Sequence, residues 1–280
     1  MRRPPLLVFG LSGQLGDALR CRGLPSPVLA LSRRVPAFAA CEDGITWHSG
    51  SLDTFDEPQP FEAVLSLGPL DAFARAVAAG RVRTARIVAF GSTSVHVKSG
   101  SPDPAERAVA ARLAEAETAL FAACRSRGTR CLVLRPTLVW GMGRDTTVSR
   151  VVGLARRWPL LPLPLGAPGL RQPVHALDLA DVARTALERD GLPDGGFDLP
   201  GGERLAFGAM LRRSVAAGAP RCRVLPVAWP LVAAAGRAHP ALRGWASRLA
   251  ADLVFEDQAA REALGWRPRG FAPGPADFPA

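Results

Sequence analysis

The sequence predicts an α/β protein, a doubly wound parallel sheet with a smaller lobe interleaved toward the C terminus. Three observations support this. Short β-type runs alternate with helical patterns along the first half of the chain. The runs are continuously apolar instead of alternating, as buried parallel strands are when helices cover both faces of a sheet. The first run leads into a glycine-rich turn that opens a helix.

Taken in order, the runs are "LLVF" (6–9), "PVLAL" (27–31), "AVLSL" (63–67), "RIVAF" (86–90) and "CLVLR" (131–135), with a third strand before Asp53. Each is followed by turn residues or a helical segment. One helix has a complete start signal: Asp103 as N-cap, Pro104 in the first turn and Glu106 closing a capping box. Its apolar residues Val109, Leu113, Ala116 and Leu120 recur at helical spacing and define one face. Beyond about residue 140 the texture changes. "WPLLPLPLGAPGLRQP" (158–173) reads as ordered extended backbone, and Pro226, Pro230 and Pro240 break up any long helix in the tail. Residues 1–170 are therefore expected to form a dinucleotide-binding Rossmann domain. Residues 171–280 mainly form a substrate lobe, with a segment returning to the sheet near 174–199. No internal repeat is visible.

The composition narrows the function classes. With 280 residues and 48% hydrophobic content, the chain can bury a substantial core. Its charge of +10 comes almost wholly from arginine, since Lys98 is the only lysine. The arginines are scattered as pairs without interleaved aromatics, which argues against a nucleic-acid surface. Five cysteines without C-x-x-C spacing indicate neither a disulfide framework nor a metal site. The apolar run after "MRR" is too short for a signal peptide, and no stretch approaches the 18 or so apolar residues of a membrane span. A cytoplasmic protein, monomer or homodimer, acting on a small molecule is expected.

In "LLVFGLSGQLGDAL", Gly10 and Gly13 let the backbone turn tightly and approach a pyrophosphate, and Gly16 permits close packing of helix on strand. Ser12, Gln14 and Leu15 complete the loop and the first helical turn. The end of the second strand selects the cofactor. An NAD site places a carboxylate there, whereas this chain has "LALSRR", with Ser32, Arg33 and Arg34 and no acid before Glu42. Guanidinium groups can pair with a 2′-phosphate, so NADP (NADPH) is favoured over NAD.

Together with "AFGSTSV", "LVLRPTLVWGMGRD", "RQPVHALDLADVARTAL" and the ending "RLAADLVFEDQAAREALGWRPR", these motifs resemble the extended and atypical short-chain dehydrogenase/reductase superfamily, in particular its NAD(P)-dependent epimerase/dehydratase branch. The resemblance covers nearly the whole chain. It implies a cofactor role for Gly10, Gly13, Gly16 and Arg33, and places Gly68 and Pro69 by the nicotinamide ribose. Ser92 would bind the substrate oxygen, with Thr93 and Ser94 beside it. Pro136 and Thr137 would wrap the nicotinamide, Arg171, Gln172 and His175 would line the substrate cleft, and Asp178 would start the next helix.

The departure concerns the chemical step. The chain contains no tyrosine. If Glu117 is aligned with the glutamate that often follows the family's lysine, the tyrosine and lysine positions become Val109 and Leu113. Neither transfers a proton. Three readings stay open: His96, with Lys98 close behind, supplies the proton; Ser92 polarises a carbonyl while water or substrate delivers it; or catalysis is lost and the chain is an NADP-binding scaffold or redox sensor. Arg144 and Asp145 are read as a substrate-phosphate contact or a solvated ion pair, Trp229, Trp245 and Trp266 as packing, and Asp53 as a surface turn.

Overall fold

The structure, a computed structural model, describes residues 5–25, 27–41, 43–56, 60–97, 100–101, 103–164, 166–239, 246–247 and 249–279. Lys98, Glu42, Trp245 and Pro240, named above, lie outside them. The chain divides into two compact units. Unit 1 comprises Met1–Pro136, Leu179–Leu199 and Asp257–Trp266, and unit 2 comprises Thr137–Asp178, Pro200–Glu256 and Arg267–Ala280. The boundary thus falls at Pro136, earlier than residue 170. The reason is that the proline-rich stretch forms strands that pair only within unit 2.

Unit 1 is built on one all-parallel sheet of β1 (Leu6–Phe9), β2 (Val28–Ser32), β3 (Ile45–Ser49), β4 (Val64–Ser66), β5 (Arg86–Phe90), β6 (Arg130–Pro136) and β11 (Gly195–Leu199). The strand order is β11-β6-β5-β4-β1-β2-β3. This is a doubly wound sheet whose connections reverse direction between β1 and β4. The helices are α1 (Gln14–Arg22), α2 (Leu70–Ala78), the one-turn α3 (Ser94–Val97), α4 (Pro104–Ser126) and, late in the chain, α9 (Gln258–Leu264). Helix α6 (Ala176–Glu188) starts in unit 2 and continues into unit 1. Phe9 anchors the core, meeting Phe55 edge-on at 5.7 Å and Phe73 at 5.5 Å between ring centroids.

Two local expectations change on α4. Asp103 caps it as expected, its Oδ1 accepting from the Ala105 amide at 2.9 Å. The capping box does not close, however, because Glu106 accepts from the Ser101 hydroxyl, and that same hydroxyl takes the Asp103 amide. The buried face is also rotated from the apolar reading: Ala110, Ala116, Glu117, Leu120 and Cys124 are buried, and Val109 is half-exposed. A buried glutamate displaces the apolar stripe because it has a partner, as shown below.

Unit 2 has little regular sheet. β7 (Val139–Trp140) pairs in parallel with β10 (Val174–His175), β8 (Leu160–Leu163) in parallel with β13 (Arg223–Pro226), and β9 (Leu170–Arg171) antiparallel with β12 (Leu205–Ala206). Around these lie α5 (Val148–Arg157), α7 (Phe207–Gly218) and α8 (Trp229–Ala238). Trp140, Val152, Met210, Leu211, Phe271 and Phe278 form its core.

A Cβ at Gly16 would overlap the Leu11 carbonyl, so α1 can leave β1 at this angle only with glycine there. Gly16→Ala should therefore destabilise unit 1 by about 3 kcal/mol, as overpacking against rigid backbone does. A urea-unfolding midpoint equal to wild type would contradict this packing.

Candidate functional site

All seven strands of unit 1 are parallel, so their C-terminal ends lie along one edge, where open α/β sheets bind ligands at the point of strand-order reversal. That edge carries Gly10 after β1, Ser32 at the end of β2, Gly68 after β4, Ser92 after β5 and Pro136 at the end of β6. The sequence expectations for the cofactor therefore converge on one line of residues within unit 1.

Gly10 has φ +82°, and a Cβ on it would stand 3.0 Å from the Gly68 nitrogen and 3.1 Å from the Leu67 carbonyl carbon. Only glycine meets both constraints. The Gly13 amide returns to the Gly10 carbonyl at 3.1 Å, and the Gly13 carbonyl accepts from Asp17 at 2.9 Å as α1 begins. Gly13 is the N-cap and offers no side chain, which leaves the positive end of α1 open at the sheet edge. Gln14 and Leu15, in the first turn, are half-buried. A bare helix N-terminus beside a left-handed glycine is the backbone that a dinucleotide diphosphate requires, and these residues fit it.

The loop is tied to the second strand. Ser32 Oγ donates to the Arg34 carbonyl at 2.7 Å, which leaves Ser12 Oγ as the donor in its 3.3 Å contact with Ser32 Oγ. Arg33 and Arg34 are exposed beside this link, with no carboxylate partner among the described residues. Pro69 is the N-cap of α2, directly after Gly68.

The hydroxyl turn after β5 separates into distinct roles. Thr93, expected near substrate, is buried, and its Oγ1 donates to the Pro136 carbonyl at 3.2 Å, so it fixes the turn against β6. Ser92 and Ser94 are half-buried; Ser92 Oγ donates to Ser94 Oγ at 3.1 Å and accepts from the Ser94 amide at 3.2 Å. His96 lies on α3 with its side chain 44% exposed, and its Nε2 is 3.1 Å from Asp198 Oδ1 on β11.

Asp198 stands opposite Arg135 in the β11–β6 register, 3.6 Å from the guanidinium. Arg135 in turn makes a fork with Glu117, its Nε 2.9 and 3.1 Å from the two carboxylate oxygens. The Glu117 bond holds the guanidinium pKa above its ordinary value against the opposing effect of burial. Gly91 makes room for this pair, since a Cβ there would meet Glu117 Oε1 at 3.1 Å. A chain of polar contacts Glu117–Arg135–Asp198–His96 thus runs from α4 through β6 and β11 to α3. Val109 and Leu113 are half-buried on α4 and contribute no polar atom.

Sequence reasoning did not find Asp198. The aspartate is 102 residues from His96 and sits in an unremarkable strand, "GGFDL"; only the return of the chain to the sheet at β11 brings the two together.

Unit 2 places its expected substrate residues differently. Arg171 is buried, donates to the Leu170 and Ala251 carbonyls at 2.8 and 2.6 Å, and lies over the Phe207 ring. Burial pushes its pKa down. Gln172 is buried and accepts from the Phe255 amide at 2.7 Å. His175 is buried too, with Nδ1 accepting from the Leu177 amide at 3.0 Å and Nε2 at 2.9 Å from Asp277. These polar groups hold unit 2's own segments together, Arg171 and His175 each through partners within the unit. Asp178 accepts from the Arg269 amide and guanidinium, and Asp145 accepts from the Thr147 and Ser149 amides at the start of α5.

Among the described residues no group of three or more His, Cys, Asp or Glu could hold a metal ion, and no helix is long and apolar enough to cross a membrane. A cavity of about 590 Å³ lies at the opposite, N-terminal edge of the sheet beside Leu6, Ala63 and Arg86. Arg86 there already donates to the Leu187 carbonyl and pairs with Asp190.

The fold is a doubly wound α/β fold shared with solved UDP-sugar 4-epimerases. The UDP-N-acetylglucosamine 4-epimerase of Bacillus cereus superposes with a TM-score of 0.69 at 14% identity, covering 98% of this chain and 95% of that one. MoeE5, solved with UDP-glucose and NAD, gives 0.70 at 16% identity over 98% and 97%. RMD of Pseudomonas aeruginosa, solved with NADPH, gives 0.66 at 15% identity over 98% and 97%. The sequence itself matches no protein-family model and no curated protein.

One pH response follows from unit 2. Burial alone would raise the pKa of Asp277, but the bonds from His175 and the Gly274 amide, with the charges of His175 and Arg269, bring it below the ordinary carboxylate value. A depressed pKa adds stability above the unfolded-state value of about 4 and loses it as pH falls through the folded-state value. Asp277→Asn should be less stable than wild type at neutral pH, and the two urea midpoints should converge in acid. A constant difference down to pH 2 would refute the assignment.

Proposed function

We propose that the chain is an NADP-binding, epimerase-like oxidoreductase acting on a small carbonyl compound or nucleotide-sugar-like substrate. The observation that carries this reading is the gathering, along one sheet edge of unit 1, of the left-handed Gly10 turn, the open N-terminus of α1, an acid-free β2 end with two exposed arginines, and the Ser92 turn. Solved proteins of this fold hold NAD or NADPH, and one of them also holds UDP-glucose.

In this reading Gly10 and Gly13 admit the diphosphate to the amides of α1, while Arg33 and Arg34 pair with the 2′-phosphate, where a carboxylate would repel it. Gly68, Pro69 and Pro136 border the ribose and nicotinamide. A bound nicotinamide supplies or accepts the hydride. Ser92 Oγ turns from Ser94 to a substrate carbonyl oxygen, with Ser94 holding the turn. His96, oriented through Nε2 by Asp198, exchanges the proton through Nδ1, in place of a tyrosine. We place the protein in the cytoplasm as a monomer or homodimer, in keeping with the unpaired Cys21, Cys124, Cys131 and Cys222.

A second reading, a cofactor-binding scaffold without turnover, draws on the aliphatic pair Val109 and Leu113, where a proton donor and its cation would stand. The two readings share the cofactor and differ in chemistry.

Calorimetry addresses the cofactor. NADPH should bind more tightly than NADH, and joint Arg33→Ala and Arg34→Ala substitution should weaken NADPH by about 10- to 100-fold, the equivalent of one charge-assisted bond, with NADH unchanged. Equal affinity for both coenzymes in wild type would remove the NADP assignment, and no heat with either would remove the whole reading.

Turnover addresses the chemistry. With UDP-sugars and other carbonyl substrates, Ser92→Ala and His96→Ala should each lower kcat by about 10²–10⁴-fold while cofactor affinity stays the same. Tight cofactor binding without turnover in wild type would establish the scaffold instead.

A further inference from the structure

The chain's positive charge is not evenly spread. Unit 1 holds nineteen arginines and one lysine against nineteen carboxylates, a near balance, whereas unit 2 holds fifteen arginines against six carboxylates. Unit 2 has no Asp or Glu between Asp145 and Asp178, nor between Glu203 and Asp252. Its six carboxylates are all engaged within the unit. Asp145 caps α5, Asp178 holds Arg269, Glu203 holds Arg213, Asp252 takes the Leu170 amide, Glu256 pairs with Arg204, and Asp277 pairs with His175.

One region of unit 2 combines this uncompensated charge with exposed apolar side chains. The β8–β13 ribbon buries Leu163 and packs Leu161 and Val224 partly against the core. Its alternate residues face out: Leu160 opposite Arg223 and Pro162 opposite Leu225. Leu160 is 48% and Leu225 46% exposed. The ribbon joins the end of α5, where Leu154 and Trp158 stand one turn apart and Trp158 is 61% exposed. Arg157, Trp158 and Arg221 share the lining of a surface groove of about 490 Å³. Among the described residues, Arg157, Arg221 and Arg223 have no carboxylate partner.

We propose that this face of unit 2, formed by Leu154, Arg157, Trp158, Leu160, Arg221, Arg223 and Leu225, docks on an anionic lipid bilayer surface. An exposed tryptophan and leucines among arginines match the headgroup layer, where rings and aliphatic chains enter the acyl boundary and guanidinium groups meet lipid phosphate. Charge complementarity selects this occupant over two others. A second copy seated on the same face by two-fold symmetry would bring arginine against arginine without an acid to offset it. A nucleic acid would take the arginines but leave the leucines uncovered, since its interfaces are polar. The docking does not depend on the cofactor reading.

The test is flotation of the full chain with phosphatidylcholine vesicles, with and without phosphatidylglycerol, at low and high salt. Wild type should float with the anionic vesicles at low salt only. Joint Trp158→Ala and Leu225→Ser substitution should weaken partitioning at least about tenfold, and Arg221→Gln with Arg223→Gln similarly, because each arginine near a charged surface counts for roughly fivefold. These side chains are exposed, so thermal unfolding should stay at the wild-type temperature. The proposal is overturned by equal flotation with neutral vesicles, by absence of flotation, or by variants that float as wild type does. It is also overturned if duplex DNA binds wild type and the Trp158 and Leu225 variant equally while vesicles bind neither.

Discussion

Gly10 lies so close to the peptide between Leu67 and Gly68 that a single added carbon would stand 3.0 Å from backbone, and the functional edge of unit 1 depends on this approach. β1 has β2 on one side and β4 on the other, and the connections leave in opposite directions. A crevice must open above β1, and the chain has to leave β1 without filling it. A left-handed glycine achieves the turn, Gly13 starts α1 without a capping side chain, and Gly16 lets the helix lie against Leu11. With that path set, Ser12 falls within reach of Ser32, and the arginines after β2 are carried to the same edge as the helix terminus. The three glycines act as one device: the first turns the chain against β4, the second leaves the helix without a capping side chain, and the third sets the angle at which the dipole points.

A second constraint is electrostatic. A carboxylate as buried as Glu117 needs a cation, and Arg135 meets it with a two-point fork, the geometry in which such a pair recovers most of its desolvation cost. The guanidinium has a further edge, which reaches Asp198, and Asp198 reaches His96. The pair that locks α4 to the sheet therefore also sets the position of the one imidazole on the hydroxyl turn. Helix α4 carries the ionic anchor Glu117 and presents aliphatic groups at positions 109 and 113, while the polar groups linked to that anchor lie on β6, β11 and α3.

How much of this was legible in the sequence depends on range. All five named strand runs agree with observed strands to within one residue at each end, because buried parallel strands are contiguous and their signal is local. The turn at Gly10 and the close packing at Gly16 were equally readable, being short stretches whose backbone requirement is written in adjacent residues. Partnerships across the chain were not. Glu106 looked like a capping-box residue until Ser101 took it, Glu117 broke an apolar stripe for a cation eighteen residues away, and Asp198 carried no mark of its own. The boundary between units slipped for a related reason. Proline-rich sequence hides strands whose pairing partners lie some sixty residues on, as with Arg223 opposite Leu160.

The polar residues of unit 2 show how a unit with little regular sheet satisfies its backbone. With three two-stranded pairings, the unit leaves long stretches of backbone without a ladder, and buried amides and carbonyls must find other partners. Arg171, Gln172 and His175 serve this need: the arginine takes carbonyls from Leu170 and Ala251, the glutamine takes the Phe255 amide, and the histidine receives Leu177 while holding Asp277. A polar side chain at such a position looks the same in sequence whether it faces a ligand or a loop. Three of the unit's six carboxylates, Asp178, Glu203 and Glu256, pair with Arg269, Arg213 and Arg204, and Asp145, Asp252 and Asp277 take amides or His175. The charge excess of unit 2 is therefore a matter of number, because its few acids meet arginines as the acids of unit 1 do, and fifteen arginines cannot be matched by six carboxylates.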